Sequence, residues 1–178
     1  SPFMYEIDEM MKLDPVRMVS RIRRDTRYTH DKHMYRDNLW VMFMRPKHEW
    51  RYHPCMWFEV CQDSFSYGVG TYDVTPALME LYRKALLERS DEFLKAAKSA
   101  ESIGAAFSAE EYKKPKPGTP SGELQKYYNV KNLFFVKHRR DFKTLESDEI
   151  IKQLKEEYKA YAPMYKFLLS ISDEYISS

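Results

Sequence analysis

The sequence predicts an α+β fold, an antiparallel sheet of about five strands with helices packed on one side, and three observations predict it. Residues 39–44 form a continuous run of aromatic, β-branched and other apolar residues, the composition of a strand. Two alternating runs between Met56 and Tyr72 flank Gln62, Asp63 and Ser64, the pattern of a hairpin. Apolar residues then recur at helical spacing in two long segments, one after Thr75 and one after Ser147.

Taken in order, residues 18–23 are short and half apolar and read as the first strand, and residues 39–44 as a central strand covered on both faces. In the hairpin, a two-residue turn at Gln62-Asp63 or Asp63-Ser64 places Met56, Phe58, Val60, Phe65, Tyr67 and Val69 on the core face. The opposite face carries Trp57, Glu59, Cys61, Ser66, Gly68 and Gly70, a shallow groove of bare backbone beside an indole. Two uses of that groove are open. Either Trp57 shields the glycines of the neighbouring strand, the commoner arrangement, or the glycines floor a ligand site. Thr75 and Pro76 supply an N-cap and a first-turn proline to a helix that carries Leu78, Leu81, Tyr82, Ala85 and Leu86 to about Arg89. Ser90 is expected to cap a second helix through Phe93, Leu94 and Ala97. Pro115, Pro117 and Pro120 forbid helix and central strand in the lysine-rich stretch around them, which reads as a stiff solvated loop. Ser121 caps a short helix with Leu124 and Tyr128, and residues 132–137 return to the sheet as a fifth strand. Ser147 caps the last helix, whose stripe is Ile150, Ile151, Leu154, Tyr158 and Tyr161; Pro163 must kink or restart it before Met164 to Ile171 continue inward.

At 178 residues, 43% hydrophobic and 31% charged, the chain is expected to be one domain over 1–178. It has neither the roughly 18 consecutive apolar positions of a membrane span nor a signal-like start, so a cytoplasmic location is the expectation. Cys55 and Cys61 are its two cysteines, too few for a disulfide framework.

Charge is blocked along the chain rather than mixed. It runs −2 over residues 1–20, +5 over 21–53, −5 over 54–112, +7 over 113–144 and −3 over 145–178, within a net +2. The two basic blocks either combine into an anion-binding surface or dock on acidic blocks of the same chain. The densest constellation is the first of them, from Arg21 to Arg36. Extended backbone there puts Arg21 and Arg23 on one face and Arg24 on the other. A turn in which Asp25 and Asp31 accept bidentate guanidinium contacts would leave one or two of Arg21, Arg24, Arg27 and Lys32 for an outside anion; a self-satisfied ion-pair network is the structural alternative.

The pattern Arg21-Ile22-x-Arg24-Asp25-Thr26-Arg27-Tyr28-Thr29-x-Asp31-Lys32-x-x-Tyr35-Arg36 closely resembles the signature of a bacterial and fungal domain of unknown function, family 2461, which runs R-I-x-R-D-T-R-F-S-x-D-K-x-P-Y-K. The resemblance extends through Gly68-x-Gly70-x-Tyr72, Arg83, the run Asn132, Leu133, Phe134 and Phe135, and the final helix. It departs at Met34, where the family has proline, in a hairpin turn that lacks the family's glycine, and in the absence of the family's N-terminal helical stretch, as expected of a trimmed chain. The resemblance implies a fold and a site; it implies no activity.

Other chemistries fit poorly. His30, His33, His48 and His53 match no metal-ligand spacing and read as exposed loop histidines, with no metal expected. No nucleophile elbow, phosphate-binding loop or dinucleotide fingerprint is present, and no cofactor is expected. Trp40, Trp50, Tyr52 and Trp57 lie in or beside the first basic block, which keeps single-stranded nucleic acid as an alternative, though a charge of +2 tells against it. Trp50 with Tyr52 also makes a patch for a protein partner, with the Arg/Asp cluster then purely structural. The expected act is binding of a small phosphate- or carboxylate-bearing ligand over the Trp57, Gly68 and Gly70 face. Arg21, Arg24, Arg27 and Lys32 supply charge, Asp25 and Asp31 orient them, Tyr35 and Arg83 line the rim, and Glu59 is the candidate acid or base if a reaction occurs.

Overall fold

Gln62 and Asp63 make the turn of the central hairpin, where the Cys61 N–H donates to the Ser64 carbonyl at 2.8 Å. These observations come from a computed structural model that describes residues 3–23, 34–46 and 52–177. From the turn, β2 (Cys55–Val60) and β3 (Phe65–Gly70) run antiparallel, with Val60 opposite Phe65 and Cys55 opposite Gly70. That register puts the expected six apolar side chains on one face, because side chains alternate with a period of two. β1 (Leu39–Phe43) pairs outside β2, β5 (Phe134–Arg139) outside β3 and β4 (Ala106–Ser108) outside β5. Every pairing is antiparallel.

The strand count matches expectation although the identities differ. Residues 18–23 are not a strand: Asp14 and Pro15 start a single helical turn, α2 (Pro15–Met18), in which the Asp14 carboxylate accepts from the Val16 N–H at 3.0 Å. That turn consumes Met18, and Val19 and Arg23 are left with single bridges to Val41 and Tyr35. The fifth strand is instead Ala106–Ser108, too short for alternation to show. β1 is the outer strand on its side of the sheet and its residues are half-buried or exposed, not covered on both faces.

Helices α3 (Pro76–Glu88), α4 (Ser90–Ser102) and α6 (Glu149–Ser177) bury their apolar stripes with Met56, Tyr67, Val69 and Phe135 of the sheet, together with α1 (Phe3–Ile7) and α5 (Gln125–Tyr128). Thr75 caps α3 as expected, its Oγ1 accepting from the Leu78 N–H at 3.2 Å. Ser90 is not a cap: Arg89 stands at the junction and Ser90 is already helical. Ser147 likewise lies two residues before α6 and its hydroxyl donates to the Thr144 carbonyl.

Pro163 does not restart α6, which is helical from end to end. A proline there removes an N–H from the ladder and crowds the preceding turn. The carbonyl deprived of its donor is that of Lys159; one residue on, the Ala160 carbonyl accepts from the Ser99 hydroxyl of α4 at 2.8 Å, a tie between the two helices beside the proline. Ser99→Ala should therefore cost about 1 kcal/mol, read from the urea unfolding midpoint; an unchanged midpoint would show that water serves the carbonyl equally well.

Five tyrosines among the described residues are fully buried, and each hydroxyl has an acceptor: Tyr67 on Glu157, Tyr82 on the Tyr127 carbonyl, Tyr127 on Glu101, Tyr161 on the Tyr67 carbonyl and Tyr165 on Asp8. Among the described residues no buried side-chain nitrogen or oxygen is without a partner. No helix among them is long and apolar enough to cross a membrane.

Candidate functional site

Alternation and register together lay out the face of the sheet opposite this core. One row across the strands is Trp40, Glu59, Ser66 and His138; the next is Met42, Trp57, Gly68 and Val136; the third is Cys55, Gly70 and Phe134. The two glycines are covered. A Cβ at Gly68 would stand 2.7 Å from the Trp57 indole and would overlap the Phe135 carbonyl, and one at Gly70 would stand 2.5 Å from the Phe134 ring. The indole and phenyl meet edge to face, 5.5 Å apart at 89°. Gly68 and Gly70 are thus seats for two aromatic rings rather than the open floor of a groove.

With those rings seated over β3, a cavity of about 330 Å³ remains between them and β1. Its walls include Trp40, Trp57, Tyr72 and Phe134; Met42 and Cys55 add two sulfur atoms, and Asn38 and Glu59 are the polar pair among the described lining residues. The Asn38 amide donates to Glu59 Oε1 at 2.5 Å. Oε2 of the half-buried Glu59 accepts no hydrogen bond from the described residues, and the carboxylate makes no ion pair among them. Burial pushes the Cys55 thiol up to about 12, so it is neutral and inert at physiological pH. Beside the cavity the Arg36 guanidinium rests over the Trp40 ring, 4.6 Å from its centroid.

Of the residues expected at the site, Trp57 and Glu59 line this cavity. Arg21 and Tyr35 are exposed near the two ends of the basic segment, which the Arg36 N–H, donating to the Ile22 carbonyl at 3.0 Å, holds together. Ser20 fastens the same segment to β1 through reciprocal bonds with the Trp40 backbone. Arg24, Asp25, Arg27, Asp31 and Lys32 lie outside the described residues, as do His30, His33, His48 and Trp50. Arg83 is not on the rim. It is 3% exposed on α3, donates to the Val130 carbonyl at 3.3 Å and to Glu80 at 2.8 Å, and lies over the Tyr112 ring. A guanidinium with a methylene stem fills such a place because it can bury its stem and still satisfy its donors.

His53 is a second correction, being 3% exposed rather than a loop histidine on the surface. It belongs to a polar cluster that sequence reasoning missed. Arg45 Nε donates to Asp8 at 2.8 Å and its Nη1 to Asp173 at 3.0 Å, Tyr165 donates to Asp8 at 2.8 Å, and His53 Nε2 is 3.6 Å from Asp173. Burial would raise the Asp8 carboxyl, but the hydrogen bonds from Arg45, Tyr165 and the Met10 backbone overcome it and hold it below its ordinary value. Glu157 is held low in the same way, against burial, by Lys137, Tyr67 and Gln153. Basic residues of both blocks are in this sense docked on acids of their own chain: Arg45 on Asp8 and Asp173, Lys137 on Glu157, Lys126 on Glu101 and Arg139 on Asp141. No cluster of three or more metal-ligating side chains occurs among the described residues.

Compared with known families, residues 1–167 match the family model described as conserved hypothetical protein (DUF2461). No curated protein and no solved structure matches the chain.

Proposed function

Because the chain belongs to the conserved hypothetical protein family DUF2461, whose description names no activity, we propose its function from its geometry: it binds a small organic molecule in the aromatic cavity on the outer face of the sheet. The observation that carries this is the match of size and lining. A cavity of about 330 Å³ falls within the range of small-molecule sites, roughly 300–1,000 Å³, which are mostly apolar and aromatic with a few convergent polar groups. The sulfur atoms and aromatic rings supply the apolar part, and Asn38 with Glu59 the polar part.

The anionic ligand expected from the sequence enters this reading at the ligand's outer end. β1 supplies Trp40 and Met42 to the cavity, and the bonds through Ser20 fasten the start of the basic segment to β1. Arg24, Arg27 and Lys32 belong to that segment, and a phosphate or carboxylate on the ligand would be theirs to hold.

The test is a low-salt thermal-shift screen of the chain against phosphorylated metabolites, dicarboxylates, amines, neutral aromatics and a short single-stranded oligonucleotide. Met42→Trp, which fills the cavity, and Arg27→Ala are run beside it. A ligand that binds the native state raises the melting temperature by mass action, and Met42→Trp should abolish the shift. Binding that survives Met42→Trp but disappears in Arg27→Ala would move the site to the arginine segment. Binding of the oligonucleotide that falls steeply with salt would favour nucleic acid instead.

A further inference from the structure

Resting on that reading, we infer that the cavity takes an organic cation, a compact alkylated or quaternary ammonium group. Its lining is rich in electron-dense groups: four aromatic rings, the Met42 thioether, the Cys55 thiol and a carboxylate. Aromatic rings attract cations through their quadrupoles, most strongly where water is excluded. Among the described residues Glu59 is the only one lining the cavity with a formal charge, and it has no protein counter-ion among them. A half-buried carboxylate among aromatic rings is costly to leave unpaired, and a ligand cation removes that cost. Asn38 binds one carboxylate oxygen, and Oε2, which accepts no hydrogen bond from the described residues, is left for the ligand.

The wall itself already holds a cation, since the Arg36 guanidinium rests over Trp40. Arg36 is exposed, does not line the cavity and makes no ion pair with Glu59, so among the described residues the interior charge has no compensating partner. An anionic group at the same place would meet the Glu59 carboxylate at close range, and a neutral group would leave it unpaired. The cationic group therefore belongs inside the cavity, and any anionic group of the same ligand outside it.

Isothermal titration of the whole chain with choline and with its uncharged carbon isostere, 3,3-dimethylbutan-1-ol, tests the charge apart from the shape. At matched ionic strength choline should bind about tenfold more tightly than the alcohol. Glu59→Gln should bring the two together, and Glu59→Asp, which keeps the charge on a shorter stem, should retain part of the preference. Equal binding of the two probes to the native chain, or a preference unchanged in Glu59→Gln, would overturn the cation. If the screen above finds a ligand sensitive to Met42→Trp while choline does not bind, the cation falls and the cavity stands. If neither choline, the alcohol nor any screened ligand binds, both fall.

Discussion

Replacing Arg45 with methionine lowers the unfolding free energy by about 3–5 kcal/mol at pH 7, measured by urea unfolding. The size follows from what the substitution leaves behind. Asp8 has a side chain only 4% exposed, and Arg45, 11% exposed, is its one ion-pair partner among the described residues. Without the guanidinium the carboxylate stays buried with only the Tyr165 hydroxyl and a backbone N–H to serve it. The pH dependence has a definite sign. In the native protein Asp8 titrates below its ordinary value, so its contribution is complete above the unfolded value near 4 and drains away as pH falls through the folded value. Without Arg45, burial prevails and the folded value rises above the unfolded one, so the variant gains from acidification what the native protein loses. The stability gap between the two should narrow from pH 7 toward about pH 3.5. A gap that is constant with pH would place the worth of Arg45 in the packing of its stem and not in its charge.

Gly68→Ala is expected to cost about 2–3 kcal/mol, although alanine ordinarily stabilises a site that tolerates it by about 0.4–1 kcal/mol through the unfolded chain. The added methyl would stand 2.7 Å from Trp57 on one side and overlap the Phe135 carbonyl of the paired strand on the other. The indole can rotate but the carbonyl is fixed by the ladder, so β3 and β5 must part. Displacing Trp57 also reshapes the cavity, and the near-ultraviolet circular dichroism of the indole should change together with the urea midpoint. A variant with native stability and an unchanged indole spectrum would show the seat to be looser than the geometry requires.

What the sequence makes legible is what is local or periodic. Alternation alone places Trp57 and Glu59 on the outer face and Tyr67 and Val69 in the core, and Thr75 with Pro76 marks the start of α3. What it hides is built from afar. The Arg45 cluster draws on residues 8, 45, 53, 165 and 173, which share no pattern in the chain. Ser90 looks like a cap, but α3 and α4 follow one another so closely that Arg89 takes the position. Pro163 looks like a break because it removes an N–H from the ladder, whereas the packing of α6 on α4, the Ser99 to Ala160 bond included, comes from another helix. Arg83 looks like a rim residue because a buried arginine is uncommon, and only the placement of Val130 and Glu80 shows where its donors go. The cavity was half legible: Trp57 and Glu59 follow from one strand, whereas Trp40, Met42 and Phe134 join them only through the pairings of β1 and β5.

The hydrogen bond from Tyr165 to Asp8 joins residues 157 apart, and α6 packs against β3, α3 and α4 in the middle of the core. On a ribosome, where the chain emerges from its N-terminus at about 5–20 residues per second, every strand is made before α6, although α3 and α4 are made before β4 and β5. Until α6 emerges, the aromatic underside of the sheet is only partly covered. Folding must be a late event, rate-limited by long-range closure, and the yield of native protein should depend on how well holdase chaperones shield that underside during translation.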